Sequence, residues 1–436
     1  MNLSDLAQNA VHYALSEKAT SAEVVISNET GYAVTVRNQA VDTLEHHQEK
    51  SFSITVYFGH AQGSASTTDL QRGAMEQSIR KACEIAKFSG ADPYHGIVDK
   101  AMIAFDYPQL DLYHPWSLPP SQAIDLAIEC EDLARHVDKR LVETEEVSVS
   151  TYEMQHVFAN SHDFVGEYQC TRHGISCSLV ASSNHEMQRD YEYTVSRIPK
   201  GLRSIEWVAK KAAEKTVSRL GSRKIPTQTC PVVFIAPVAK SLLSAFVNAI
   251  SGGALYRRAS FLLDHLGKTI FPKHVHIYQR PHLAFGMSSA PFDAEGVLTC
   301  EQDYVNDGCL VNYVLGSYSA RRLNRQTTGN AGGVYNLMID CDDISFDQLL
   351  KEMGRGFLIT ELMGQGVNIV TGDYSRGAAG FWVENGEIQF PVSEVTIASN
   401  LKEMFLNMQI IANDIDTRSG TQTGSILISK MTVAGN

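Results

Sequence analysis

Strict alternation is the feature that most limits how this chain can fold. Val147, Val149 and Thr151 alternate with Ser148 and Ser150, and Ile175, Cys177 and Leu179 alternate with Ser176 and Ser178. Successive side chains on a strand point to opposite faces. Apolar residues on one face and small hydroxyls on the other predict an antiparallel sheet with one packed and one wetter side. More strand material lies at 22–27, 32–37 and 53–58. Helical spacing frames it: Leu3, Leu6, Ala7, Ala10, Val11, Ala14 and Leu15 form one stripe. Thr68 or Asp69 is expected to cap a second helix that stops at Gly90. A third opens at Ser121, and a fourth runs from Ser204 to Leu220.

The run Gly221–Thr227 reads as a linker. It predicts an N-terminal domain over 1–220, a linker over 221–229 and a C-terminal β-rich domain over 230–436. The second part starts with a buried strand, Val232 to Ala236, then a helix with Pro237 at its first position. Beyond about residue 270, short apolar runs and Gly turns dominate, with one late helix over Phe346–Met353. The fold class is therefore α+β in two domains, with antiparallel strands in the first.

Composition excludes several functions. Lys and Arg number 37 against 49 Asp and Glu, a net charge of −12. A general nucleic-acid surface needs clustered cations, so no direct nucleic-acid partner is expected. Eight cysteines are scattered with no C-x-x-C. With no apolar run of 18 residues and no export signal, they point to the cytoplasm and to no membrane partner. None of the 15 histidines lies beyond His282. His185-Glu186 is the sole His-Glu pair, and it is not followed by a zincin histidine. His274 and His276 share a strand face and read as polar surface rather than a metal pair. Cys170, His173 and Cys177 read as structural. Neither a nucleophile elbow nor a phosphate-binding glycine loop is present.

The densest unusual stretch runs from Thr360 to Ile388, with glycines at 364, 366, 372, 377, 380 and 386. Asn385-Gly386 is a strong hairpin signal. Two readings stand open: a twisted hairpin with bulges, or a sheet edge that accepts an extended peptide.

These residues closely resemble the TldD/PmbA family (peptidase family U62). The resemblance rests on Thr360–Gly366 and Thr371–Gly377. Pro291–Gly296, Ser317–Leu323 (as a strand and its loop, with Thr328–Gly333), Asn413–Arg418 and Met431–Gly435 add to it. It covers the chain from about residue 10 onward. What it implies is the family's two-domain architecture and a bacterial two-subunit metalloprotease acting on unfolded peptides. The family is tied to microcin maturation, antitoxin degradation and modulation of DNA gyrase. Its zinc-bearing TldD subunit carries H-E-x-x-x-H on a helix and a Cys near the C-terminus. Imidazoles and thiolate hold zinc there, and the Glu acts as base on its water. Aligned on Leu242-Leu243, those positions here hold Ser244, Ala245 and Ala249, and the Cys position falls on Thr423.

The resemblance thus implies a chain with no catalytic residue and no metal of its own, paired with a zinc-bearing TldD-type subunit. Gly364, Gly366, Thr371, Gly372, Asp373, Tyr374, Ser375 and Arg376 are the candidate contacts to substrate or partner. Asp373 and Arg376 either pair with each other or hold a peptide. Alone, the chain is a candidate homodimer. A regulatory or binding protein of a DNA gyrase–toxin system without a proteolytic role, and a hydrolase with an unrecognised site, are the alternative functions.

Overall fold

The computed structural model describes residues 2–435. The alternating segments resolve into one antiparallel sheet of long strands. They are β1 (Ser21–Arg37), β2 (Ala40–Phe58), β3 (Ala61–Thr67), β4 (Leu141–Asn160), β5 (Phe164–Ser183) and β6 (Glu186–Ser196), in the order β3-β2-β1-β4-β5-β6. Val34 lies opposite Val149, and Val149 opposite Ile175, so the apolar positions line up across three strands. A one-residue slip would turn every one of them to water, which pins the register.

Four helices cover that apolar face. Helices α1 (Leu3–Ser16) and α2 (Arg72–Phe88) pack over Val24, Ile26, Phe52 and Ile54 at one end. Helices α3 (Pro120–Arg135) and α4 (Ile205–Ser218) pack over Val34, Val149 and Leu179 at the other. The start of α2 differs from the expectation. Thr67 and Asp69 accept backbone N–H bonds from Asp69 and Gln71, making successive turns, and the helix begins only after Gln71. Short polar side chains that bond the backbone two residues on favour turns over helix.

The second half holds two sheets. Strands β7 (Gln228–Phe234), β12 (Gly356–Met363), β13 (Asp373–Glu384), β14 (Glu387–Asn400), β15 (Met408–Ile411) and β17 (Ile426–Ala434) form one, in the order β14-β13-β12-β7-β17-β15. A further pairing of β14 with β17 closes it on itself. A smaller sheet joins β8 (Ile277–Gln279), β9 (Gln302–Asn306), β10 (Cys309–Leu310), β11 (Leu337–Ile339) and β16 (Thr421–Gln422). Helix α5 (Ala236–Ala249) packs Leu242, Leu243 and Phe246 into the core shared with both sheets. Helix α8 (Phe346–Met353) covers the opposite face of β7 and β12.

The structure adds helices α6 (Gly252–Tyr256), α7 (Ser317–Arg322) and α9 (Leu401–Leu406) that the β-rich expectation lacked. The segment starting at Ser317 is helical, not a strand. Five or six residues are too few to show a helical period, so only packing reveals them. Between the halves, Gly221 and Ser222 donate backbone N–H bonds to Glu186, and Arg223 pairs with Val392. No described helix is long and apolar enough to cross a membrane.

His276 sits between Asp340 at 2.9 Å and Asp303 at 3.0 Å, tying β9 and β11 beside β8. Burial opposes its charge, but the two carboxylates outweigh that and hold its pKa above the ordinary value. A raised pKa gives stability that is complete below the unfolded value and is lost as pH rises through the folded one. His276→Ala is expected to lower Tm slightly at pH 5 and not at pH 9. The carboxylates are half-exposed, so the difference amounts to about 0–1 kcal/mol. A loss that is equal at both pH values would show packing, not charge.

Candidate functional site

Helix α5 builds the floor of the candidate site. Pro237 stands in its first turn, where the missing N–H costs no helical bond. One side of the helix is apolar and buried. The other carries Lys240, Ser241, Ser244, Ala245 and Asn248, which face a cleft of about 640 Å³. The loop between β12 and β13 forms the facing wall with Gln365 and Val367, and Arg376 and Thr421 complete it.

The aligned motif positions divide. Ser244 and Ala245 line the cleft, whereas Ala249 is fully buried in the core. Thr423 is also buried, with its hydroxyl bonded to the carbonyl of Gly424. Thr421, two residues earlier, is the one at the cleft. The donors present do not fit zinc. Zinc sites are built from imidazole, thiolate and carboxylate. The cleft offers hydroxyls, the amides of Asn248 and Gln365 and apolar groups, with the cations Lys240 and Arg376 in the same space. Among the described residues, no three His, Cys, Asp or Glu side chains group as a metal site.

Most of the glycine-rich stretch is explained within the chain. A Cβ on Gly366 would lie 1.6 Å from the Ser375 carbonyl oxygen, and one on Gly380 1.8 Å from that of Leu358. These glycines let the hairpin close on itself. Asn385 and Gly386 both have positive φ and turn β13 into β14, as the sequence signal indicates. Gly372 has a φ of +85° and lies under Asn400, and Gly364 has a φ of +74° at an exposed bend.

Asp373 and Arg376 do not pair. Three apart on a strand, they face opposite sides. Asp373 accepts from the Thr371 hydroxyl at 2.6 Å and from Asn400 at 3.3 Å, in the open with Ser375. Arg376 shares the inward face with buried Tyr374, which packs edge-on against Phe234. Burial pushes the Tyr374 hydroxyl up to about 12, with neighbouring Arg376 pulling the other way. Beyond each other, neither the Tyr374 hydroxyl nor the Arg376 guanidinium Nε has a hydrogen-bond partner.

A second lobe of about 430 Å³ continues the cleft toward the first half, between α5, β12, α4 and β6. Its charges are mostly matched. Arg219 bonds Asp190 at 3.2 Å and also Glu361. Arg418 bonds Asp416 at 2.8 Å and also Glu192, which takes Lys215 at 3.0 Å. These residues lie far apart in sequence, and nothing in their spacing announces them. A sequence signal exists only for Lys240, which the expectations did not include: with Ser244 and Asn248 it makes a polar row at intervals of four along α5.

An α+β chain with a cleft walled by a helix and a glycine-rich hairpin is the class this geometry defines. Comparison with known proteins gives the family. The description "PmbA/TldA metallopeptidase C-terminal domain" matches residues 227–435, the central domain 113–220 and domain 1 residues 22–86. Metalloprotease PmbA of Escherichia coli O157:H7 is 47% identical over 420 residues, covering 96% of this chain and 93% of the relative. A homologue in Haemophilus influenzae is 43% identical, covering 98% and 96%. Among solved structures, a candidate modulator of DNA gyrase from Bacteroides thetaiotaomicron superposes with a TM-score of 0.93 at 26% identity, covering 99% of this chain and 98% of that one. TldE from Thermococcus kodakarensis, at 18% identity and a TM-score of 0.82, shares the fold over 99% and 100%. The chain belongs to the PmbA/TldD metallopeptidase family.

Proposed function

We propose that this chain is the non-catalytic subunit of a two-subunit metalloprotease of the family, paired with a zinc-bearing TldD-type paralogue. It binds no zinc itself and contributes one wall of a channel that holds unfolded peptides. The observation that carries this is the cleft face of α5. Where a metal centre needs ligands and a base, it presents Ser244 and Ala245, and the other aligned positions, Ala249 and Thr423, are buried away from the cleft. Gln365, Val367, Ile369 and Arg376 form the facing wall, and Arg376 is the member of the expected contact set that reaches the cleft. In this reading the chain works in the cytoplasm, in peptide maturation or antitoxin removal, and its halves over 1–220 and 230–436 are separate structural units.

The test is purification with and without the paralogue. Elemental analysis of the single chain should find well under one zinc per chain, and the chain should not cleave an unfolded peptide. Adding the paralogue should give a stable complex that contains zinc and cleaves. Stoichiometric zinc in the single chain, or full peptidase activity of the paralogue without it, would remove the proposal.

A further inference from the structure

We infer that Arg376 and Lys240 form a carboxylate-binding site that anchors an extended peptide in the cleft, through its C-terminal carboxylate or an acidic side chain. The inference rests on the peptide-channel reading above and names the chemistry the channel grips.

Placement comes first. Lys240, Ser241 and Arg376 are the residues that line both lobes, so they stand where the lobes meet. Arg376 arrives there by alternation with Tyr374 on β13, and Lys240 stands one helical turn before Ser244 on α5. A ligand running through the cleft passes both.

Charge balance comes second. In the lobe between the halves, Arg219, Lys215 and Arg418 each hold a carboxylate of this chain, and Arg189 holds Glu145. Among the described residues, neither Arg376 nor Lys240 has a carboxylate within 4.0 Å. The lobe's acids are already engaged. Glu361 and Asp190 are on Arg219, and Glu192 is on Arg418 and Lys215. Asp416, whose carboxyl feels the Lys240 charge, is held by Arg418 at 2.8 and 3.2 Å.

Unmet hydrogen bonding comes third. The Arg376 Nε and the Tyr374 hydroxyl are enclosed side by side, the guanidinium acting on the hydroxyl, and neither has a partner beyond the other. Enclosed donors are rarely left unpaired, and each exception asks for an acceptor. A guanidinium fork fits the two oxygens of a carboxylate, and a nearby ammonium adds a point charge. Every peptide ends in a carboxylate, so such a grip suits ligands of varied sequence.

The experiment uses the full chain and three fluorescent, unstructured, uncharged peptides of one sequence. One has a free C-terminal acid, one a C-terminal amide, and one an amide with a single internal Glu. Fluorescence anisotropy should show the free acid or the Glu peptide binding about tenfold more tightly than the plain amide. Whichever shows it identifies the source of the carboxylate. Arg376→Ala should erase the preference, Lys240→Ala should reduce it, and Arg376→Lys should keep part of it. Melting temperature checks that each variant is folded; should Arg376→Ala unfold, Arg376→Lys and Lys240→Ala carry the test. Equal binding of all three peptides, no binding of any, or a preference untouched in folded variants would overturn the site. Pairing with the paralogue, measured on the same variants, separates this failure from failure of the subunit reading.

Discussion

Arg418→Ala is expected to cost about 3–5 kcal/mol of stability, because it strands the buried Asp416 carboxylate and strips buried Glu192 of one of its two cations. Glu192 lies on β6 of the first sheet and Asp416 on the loop after β15; both are less than a tenth exposed. Arg418 bridges them, donates to the Tyr193 carbonyl and stacks on the Tyr193 ring at 4.3 Å. Removing the guanidinium leaves Asp416 without a cation and Glu192 with Lys215 alone. Arg418→Lys should recover only part of the loss, since an ammonium cannot bond both carboxylates in a planar fork. The acid limb should change too. Burial works against the Asp416 charge, yet Arg418 holds its pKa below the ordinary value. A depressed carboxylate pKa gives stability that is present above the unfolded value and is lost as pH falls through the folded one. Thermal unfolding from pH 7 to pH 3 should therefore show a steep decline in the native chain and a shallower one in Arg418→Ala. A loss below about 1 kcal/mol would mean the bridge behaves as a surface pair.

Glu23→Gln is expected to stabilise the chain at alkaline pH, on the order of a few kcal/mol. Glu23 lies on β1 close to Asp293 and Glu295, and Tyr57 donates to it at 3.4 Å. Burial, then the charges of Glu295 and Asp293, push its pKa up to about 8, against the pull of Tyr57 and Arg321. Burial and Glu295 push Asp293 to about 7, though it accepts three backbone N–H bonds from Glu295, Val297 and Ala331. Here the sign reverses. With the folded pKa above the unfolded one, the native state binds more protons across about pH 4.5–8, so stability falls as pH rises through that window. Glu23 and Asp293 are both raised, and the Asp293 charge acts on Glu23, so the slope belongs to the two together. The cluster joins β1 to the loop that packs Phe292 against Phe158 and Phe164, and so joins the halves. The amide keeps the Tyr57 hydrogen bond and drops the charge. Urea unfolding at pH 4 and pH 9 should converge for the native chain and Glu23→Gln at the lower pH, below the window, and separate at the higher. Parallel curves would place the burden on Asp293 instead.

Sequence alone determined a good deal about this protein. The two-residue alternation at 147–151 and 175–179 set a one-sided antiparallel sheet, because the pleat leaves no other way to bury those valines together. Helical stripes set α1 to α4 and α8, and Asn385-Gly386 set the hairpin turn. The motif-bearing segments pointed to the family. Only the tertiary structure decided the site. Strand geometry separated Asp373 from Arg376, and helix geometry put Ser244 at the cleft and Ala249 in the core. Long-range packing brought Thr421 rather than Thr423 to the opening and matched Arg418 to Glu192 across the halves. Local rules act through neighbours along the chain, whereas a cleft is made by residues that meet only after the sheets have packed. That is why the fold could be read from periodicity, and why the balance of charges within the cleft could not.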